Sequence, residues 1–432
     1  MKKINFITLG CSKNVVDSEH LMAQAEAAGY DVEFDSDSLD AQVVVINTCG
    51  FIGDAKEESI DMILQAAEAK EDGLIDELYV VGCLSERYAD ELRDEIPEVD
   101  QYFGVKDWSS VIEKLGGEHR KELETERILT TPEHYAYLKI SEGCDWKCGY
   151  CAIPLIRGRH ISVPMEELLT EAASLAAKGV KELVVIAQDT TYYGVDIYKR
   201  RTLAELLTKL CQVDGIEWIR LHYAYPTGFP DSVIEVMASQ SKICKYLDIP
   251  FQHISDRMLT SMKRRHTKAE AYTLIEKLRA AIPDLALRTT LLVGYPGESE
   301  EDFEELMQFV RDVRFERLGV FPYSPEEGTY SADELTDDVP AEVKEERVER
   351  IMMLQNQISL ENNQRRLGDR LRVIIDSLQG DYYVARSEYD SADVDCEILI
   401  VAEDVDLEEG EFYTVKITAV EEYDLYAEIV AE

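Results

Sequence analysis

The chain has 432 residues, 45% of them hydrophobic, and a formal net charge of −42. No apolar run approaches the roughly 20 residues that cross a bilayer, and a surface this acidic repels phosphate backbones and favours basic partners. Nine cysteines, an odd number with six in cluster-like contexts, argue against a disulfide framework and for a reducing, cytoplasmic setting.

The first eleven residues have the outline of a lipoprotein signal, but the apolar stretch is short and Asn5 interrupts it. Strand-like runs at 4–9, 43–46 and 78–81 alternate with amphipathic helical patterns at 16–28, 55–69 and 86–95. That alternation predicts a parallel sheet wrapped by helices. A cysteine follows each strand: Cys11, Cys49 and Cys83. In an open parallel sheet the carboxyl ends of the strands share one edge, where ligands bind. Three cysteines distant in sequence therefore converge, and Gly10, Gly50 and Gly82 let the backbone approach a bulky group. The placement predicts a three-thiolate iron–sulfur site; the alternative is three separately buried cysteines.

Residues 117–134 are polar and read as a linker. A second alternating region follows, with strands at 136–140, 182–187, 218–221, 246–249, 287–293 and 318–321 and helices between them. Six units are too few for a complete eight-fold barrel, so an open (β/α)6 partial barrel is expected, with its chemistry at the carboxyl ends of the strands. The first of those strands leads into Cys144-x3-Cys148-x2-Cys151. Three thiolates on one loop hold three irons of a [4Fe–4S] cube and leave the fourth open. A structural zinc site would bring a fourth ligand at short range; the nearest histidine, His160, lies beyond Arg157-Gly-Arg159. Cys211, Cys244 and Cys396 have no motif around them and read as buried structural thiols.

A long helix from Pro340 to about Arg365 reads as a packing element. The tail then changes character: five short β-rich runs at 372–375, 382–385, 397–401, 412–417 and 425–429 predict a small antiparallel barrel of the OB kind. From Arg366 onward there are five basic and 19 acidic residues, a net charge of −14. A barrel that grips nucleic acid needs the opposite sign. The expected division is 1–130, 131–365 and 366–432.

On these motifs the sequence resembles the methylthiotransferase family of radical S-adenosylmethionine (SAM) enzymes over essentially its whole length. The resemblance is carried by Leu9-Gly-Cys-Ser-Lys-Asn14 with Asp17-Ser-Glu19, Asn47-Thr-Cys-Gly-Phe51, Gly82-Cys83, Gly143 to Pro154, Gln188-Asp-Thr-Thr-Tyr192, Met262-Lys-Arg-Arg-His266 and Thr290 to Glu298. The tail looks like a TRAM domain. Two branches differ in substrate: an adenosine of transfer RNA, or an aspartate on the twelfth protein of the small ribosomal subunit. Leu9 to Glu19 and Gln188 to Gly194 resemble the ribosomal branch, and the acidic tail independently disfavours transfer RNA.

The resemblance implies two [4Fe–4S] clusters and SAM as cofactors. It implies as partners the basic ribosomal protein, free or in the 30S subunit, a reductase and a sulfur donor, with no membrane. One cluster, on Cys144, Cys148 and Cys151, cleaves SAM; the other, on Cys11, Cys49 and Cys83, handles sulfur. The aspartate β-carbon C–H has no useful acidity, so acid–base groups cannot break it and the cofactor must. Tyr150 is expected beside the SAM adenine, with a structural aromatic as the alternative. Gln188, Asp189 and Gly294 contact SAM or substrate, or cap strands and turns. Arg157 and Arg159 hold carboxylates of SAM or substrate. Lys263, Arg264 and Arg265 form either a solvated face or a contact to substrate or nearby ribosomal RNA. Two other classes compete. A non-catalytic iron–sulfur carrier would close all its iron positions with four cysteines. An RNA-binding module would carry a basic tail.

Overall fold

The computed structural model describes residues 2–36, 41–403 and 405–430. The chain starts as a five-stranded parallel sheet built from β1 (Lys3–Thr8), β2 (Asp31–Phe34), β3 (Val43–Thr48), β4 (Glu77–Gly82) and β5 (Gln101–Tyr102), in the order β2-β1-β3-β4-β5. β3 is buried throughout, as its Val-Val-Val-Ile run requires of a central strand covered on both faces. Helices Ser12–Ala27, Gly53–Glu71 and Cys83–Glu95 follow β1, β3 and β4 almost at once. The short spacing places Cys11, Cys49 and Cys83 on one sheet edge.

The expected linker is pinned rather than loose. Arg127 is buried and donates to Glu19 at 2.9 Å and to Glu171 at 2.9 Å. Glu19 also accepts from the Thr130 amide at 2.7 Å. An arginine removed from water requires such partners.

The central region is an open parallel sheet of six strands: β6 (Tyr135–Lys139), β9 (Glu182–Ile186), β10 (Trp218–Leu221), β11 (Ile243–Asp248), β12 (Ala286–Val293) and β13 (Arg317–Pro322), ordered β13-β12-β11-β10-β9-β6. A two-residue pair, β7 (Ser141–Glu142) with β8 (Ile161–Ser162), brackets the cysteine loop. Alternate residues such as Leu138, Leu183, Val185, Ile219, Leu221 and Leu287 form the main core with the surrounding helices. The intervening positions on the concave side mix apolar residues such as Val184, Ile186 and Trp218 with the polar Arg220, His222, Asp248, Arg288 and Arg317.

After helix Ala341–Gln364, the strands β14 (Arg370–Gln379), β15 (Tyr382–Ser387), β16 (Ile398–Val401), β17 (Phe412–Val420) and β18 (Leu425–Ile429) close as β14-β15-β16-β18-β17. Four of the pairings are antiparallel, but β16 and β18 run parallel, so the all-antiparallel expectation needs that correction. A barrel of five strands has an odd number of neighbours around the ring. Strict alternation of direction cannot close it.

The turn between β15 and β16 enters the concave face of the partial barrel. Glu182 bridges Arg220 at 2.7 Å and Arg386 at 2.8 Å, with all three side chains buried. Arg220 also donates to the Glu388 carbonyl at 2.9 Å, His222 hydrogen-bonds Ser391 at 2.8 Å, and Arg317 pairs with Asp390. Arg317 thus finds its counter-charge on the third domain, while the third domain's Arg386 finds one on the barrel, in Glu182.

Candidate active site

Cys11, exposed, precedes helix Ser12–Ala27; Cys49 and Cys83 are buried. Asn14 fastens the loop ends together: its Nδ2 donates to Leu9 O at 2.8 Å and Thr48 O at 3.1 Å, and its Oδ1 lies 3.8 Å from Cys83 Sγ. Asn47 in turn donates to Asn14 O at 3.0 Å and Ser18 Oγ at 3.0 Å. Gly10 has φ +93°, and a Cβ there would sit 2.7 Å from Cys49 Cβ. Only glycine fits. Burial pushes the Cys83 thiol up to about 12, with the neighbouring Cys11 and Cys49 adding to the effect, and burial likewise raises Cys49. The three sulfurs therefore share one local field.

The second trio lies on the loop from β7 to helix Ile153–Ile156. Cys144 N–H donates to Gly158 O at 3.0 Å and Gly149 N–H to Met262 O at 2.8 Å. Ser331 clasps the loop from outside, donating its N–H and Oγ–H to Gly149 O at 2.8 and 2.6 Å. Burial lifts the Cys144 thiol to about 12 and raises Cys151 as well, and the other cysteines of the loop reinforce both. Cys148 Sγ lies 3.7 Å from Tyr225 OH and 3.8 Å from Arg264 Nη1. Trp146 stacks on Tyr225 with ring centroids 4.3 Å apart.

The donor chemistry, three cysteine thiols at each site with no fourth cysteine in either motif, fits an iron–sulfur cluster that keeps one iron open. A protonated thiol loses its proton on binding metal, and both trios are backed by a cation, Arg157 or Arg264, that favours the thiolate.

Between the trios lies an ionic cluster. Arg157, 2% exposed, donates from Nη1 to Asp17 Oδ2 at 3.0 Å and Glu142 Oε2 at 2.9 Å, and from Nη2 to Asn14 Oδ1. Lys139 pairs with the same two carboxylates. Burial opposes ionisation of Glu142, but Lys139 and Arg157 overcome it and hold its carboxyl at about 2. Gln188 Nε2 donates to Glu142 Oε1 at 2.7 Å, while Gln188 Oε1 is buried without a partner.

The structure sorts the residues singled out in the sequence. Tyr150 packs with Met258, Met262, Tyr295 and Tyr323, its OH 3.5 Å from Arg264. Asp189 directs both oxygens inward, one to Trp146 Nε1 at 2.6 Å and one to the Thr191 N–H and Oγ–H. Arg157 does hold carboxylates, those of its own chain. Arg159 is exposed. At Gly294 (φ +70°) the close approach is to Lys344, whose Cγ would lie 2.3 Å from a Cβ. The basic run divides: Lys263 and Arg265 face outward, over Tyr330 and Trp146, while Arg264 turns in against Cys148 and the Tyr225 ring.

Sequence reasoning gave no role to Asn14, Glu142, Trp146 or Tyr225. Position next to a cysteine motif was the available signal for the first three. Tyr225 is brought in only by the fold.

These features define a radical SAM enzyme with a second cysteine trio on an N-terminal α/β domain and a C-terminal TRAM barrel. The chain matches the Radical SAM superfamily over residues 138–310, an uncharacterized family, UPF0004, over 3–104, and the TRAM domain over 367–430. It is 56% identical over 427 residues to the ribosomal protein uS12 methylthiotransferase RimO of Phocaeicola vulgatus, covering 99% of both chains. To the protein of the same name from Bacteroides thetaiotaomicron it is 55% identical over 429 residues, covering 99% of this chain and 98% of that one. The chain belongs to this methylthiotransferase family. In fold it is similar to the radical SAM methyltransferase TsrM of Kitasatospora setae, with TM-score 0.57, 13% identity and 77% of each chain covered. It is also similar to the cobalamin-dependent radical SAM enzyme OxsB, with TM-score 0.53, 12% identity, and 82% of this chain and 56% of that one covered.

Proposed function

We propose that the protein adds a methylthio group to the β-carbon of an aspartate on ribosomal protein uS12. The observation that supports this reading is the meeting of two cysteine trios across Arg157, one on the N-terminal sheet edge and one at the mouth of the partial barrel. With [4Fe–4S] clusters bound, the Cys144, Cys148 and Cys151 site supplies the electron that cleaves SAM, and the Cys11, Cys49 and Cys83 site supplies sulfur.

The chain's own groups position and insulate this chemistry. Arg264 and Tyr225 flank the Cys148 sulfur as donors, and second partners of this kind tune a metal-bound ligand. Gln188 Oε1 is an acceptor without a partner, suited to the ammonium of SAM. Tyr150 supplies an apolar wall, and the Ser331 clasp on Gly149 fixes the backbone of the loop. Residues 1–130, 131–365 and 366–432 act as sulfur-handling, radical-generating and substrate-recruiting parts.

The third part carries a net charge of −14, which suits a basic ribosomal protein, free or in the 30S subunit, and opposes transfer RNA. No described helix is long and apolar enough to cross a membrane; the site of action is the cytoplasm, with a reductase and a sulfur donor as further partners. The test is anaerobic cluster reconstitution followed by incubation with SAM, reductant, sulfide and either uS12 or transfer RNA. Mass spectrometry should find about 46 Da, SCH3 replacing H, on an aspartate of the protein. The same group on RNA instead would assign the other substrate, and neither group with no 5′-deoxyadenosine would leave a non-catalytic iron–sulfur protein.

A further inference from the structure

A cavity of about 570 Å3 opens beside Cys11, and all three parts of the chain wall it: Cys11 from the N-terminal sheet edge, Tyr135, Tyr137 and Tyr223 from the partial barrel, and Asp393 and Val394 from the β15–β16 turn. Two of its residues, Tyr223 (φ +56°) and Asp393 (φ +66°), sit in the left-handed region. Aspartate tolerates that conformation; a tyrosine there is an outlier. Backbone strain of this kind gathers where proteins handle ligands. Tyr223 is held in place by Lys13, whose Nζ lies 2.9 Å from the ring centroid, and by its own N–H, which donates to Asp248 at 3.2 Å. Lys13 is two residues from Cys11, so the strained tyrosine connects the sheet edge to the barrel wall.

Asp393 is exposed, and its carboxylate accepts from Tyr135 OH at 2.8 Å and Tyr137 OH at 3.3 Å. Phenols orient a carboxylate without cancelling its charge. Its neighbours differ: Asp390 is paired with Arg317, and Asp395 faces Arg288 at 3.5 Å. Asp393 is thus the acidic group of this turn whose negative charge faces the cavity without a cation of its own chain among its described partners. Val394 beside it is 51% exposed. The firm attachment of the turn is made elsewhere, by Glu182, Arg220 and Arg386.

We infer that this cavity receives an extended basic segment of the substrate protein, and that Asp393 is a specificity-determining residue that pairs with a cationic side chain flanking the modified aspartate. The inference rests on the proposed methylthiotransfer to a basic ribosomal protein. Asp393 and Cys11 line the same cavity, which places recognition and sulfur chemistry in one space. An exposed ion pair of this kind sets encounter and affinity and makes both sensitive to salt.

The experiment uses the reconstituted full chain and purified uS12, comparing wild type with Asp393→Asn and Val394→Lys. Asparagine keeps the left-handed turn and removes the charge; the lysine introduces the opposite charge and leaves the Asp393–Tyr135 bond intact. Asp393→Asn should raise KM for uS12 by roughly two- to fivefold, the worth of an exposed ion pair, by more than it lowers kcat, and should flatten the dependence of KM on ionic strength. Val394→Lys should raise KM in the same direction. Unchanged KM and salt dependence in both variants, with wild type active on uS12, overturn the inference and leave the function standing. A wild-type enzyme that modifies transfer RNA and not uS12 overturns both.

Discussion

Arg157 Nη1 donates to Asp17 Oδ2 at 3.0 Å, joining the loop that follows Cys151 to the helix that follows Cys11. The two residues are 140 positions apart, and each lies six residues beyond its cysteine. This ion pair helps set how the two trios face each other, beside the Lys139–Asp17 pair and the Arg127 bridge, and Glu142, on the same guanidinium, extends the tie to the residue pair just before Cys144.

Removing that guanidinium leaves the buried Asp17 and the half-buried Glu142 short of a partner. Arg157→Ala should lower the unfolding free energy by about 3 kcal/mol, the lower end of the cost of breaking a buried pair, because Lys139 still bonds both Asp17 and Glu142. Arg157→Lys should lose less, since an ammonium reaches one carboxylate where the fork reaches two. Denaturant unfolding of the anaerobic protein measures both; equal stability of all three proteins would show that the pair does not hold the domains.

The two trios should be separable by iron content. Cys148→Ala and Cys83→Ala should each lower reconstituted iron from about eight to about four per chain. Only Cys148→Ala should also stop 5′-deoxyadenosine formation. Retention of eight irons in either variant would remove that cysteine from the ligand set.

Much of this site was readable because it is written in punctuation: a cysteine shortly after three of the five strands of the first sheet, and three in one short loop of the second. The edge strand β2 was not, since Asp-Val-Glu-Phe offers no continuous apolar run and is only half-buried, and β5 has just two residues. The run Lys263-Arg264-Arg265 suggested one charged face. Lys263 adopts φ +55°, and the turn it makes sends Arg264 inward. Partnerships such as Tyr225 with Cys148, or Gly294 with Lys344, join residues dozens of positions apart, and no local pattern encodes them.

Glu298 supplies a pH test away from the cysteines. Burial pushes its carboxyl up to about 7, against Arg347 at 2.9 Å and the Gly294 and Tyr295 amides, which favour the ionised form. A folded-state value above the unfolded 4.5 means that folding favours the protonated acid. Its contribution is full below pH 4.5 and is lost as pH rises to about 7, at most about 3 kcal/mol. Relative to wild type, Glu298→Gln should become more stable across that window, because the amide never ionises. Unfolding free energies at several pH values test this; parallel curves would show that Glu298 is ionised throughout.

Glu182, at the amino end of β9, holds the third domain against the concave face of the partial barrel, and its loss should separate recognition from cluster binding. Glu182→Ala leaves Arg220 and Arg386 buried without their shared carboxylate. The expected cost is about 3–5 kcal/mol, partly recovered in Glu182→Gln, whose amide oxygen still accepts one hydrogen bond. Both arginines then gain by moving toward water, and only Arg386 and its β15–β16 turn can do so without opening the parallel sheet. The turn should therefore leave the concave face first, exposing the segment around Leu367 and Gly368 to limited proteolysis. Iron content should stay at the wild-type level, since neither trio touches Glu182, while methylthiotransfer falls as Asp393 and Val394 withdraw from the cavity beside Cys11. Loss of iron together with activity would mean that the TRAM turn supports the cluster sites themselves.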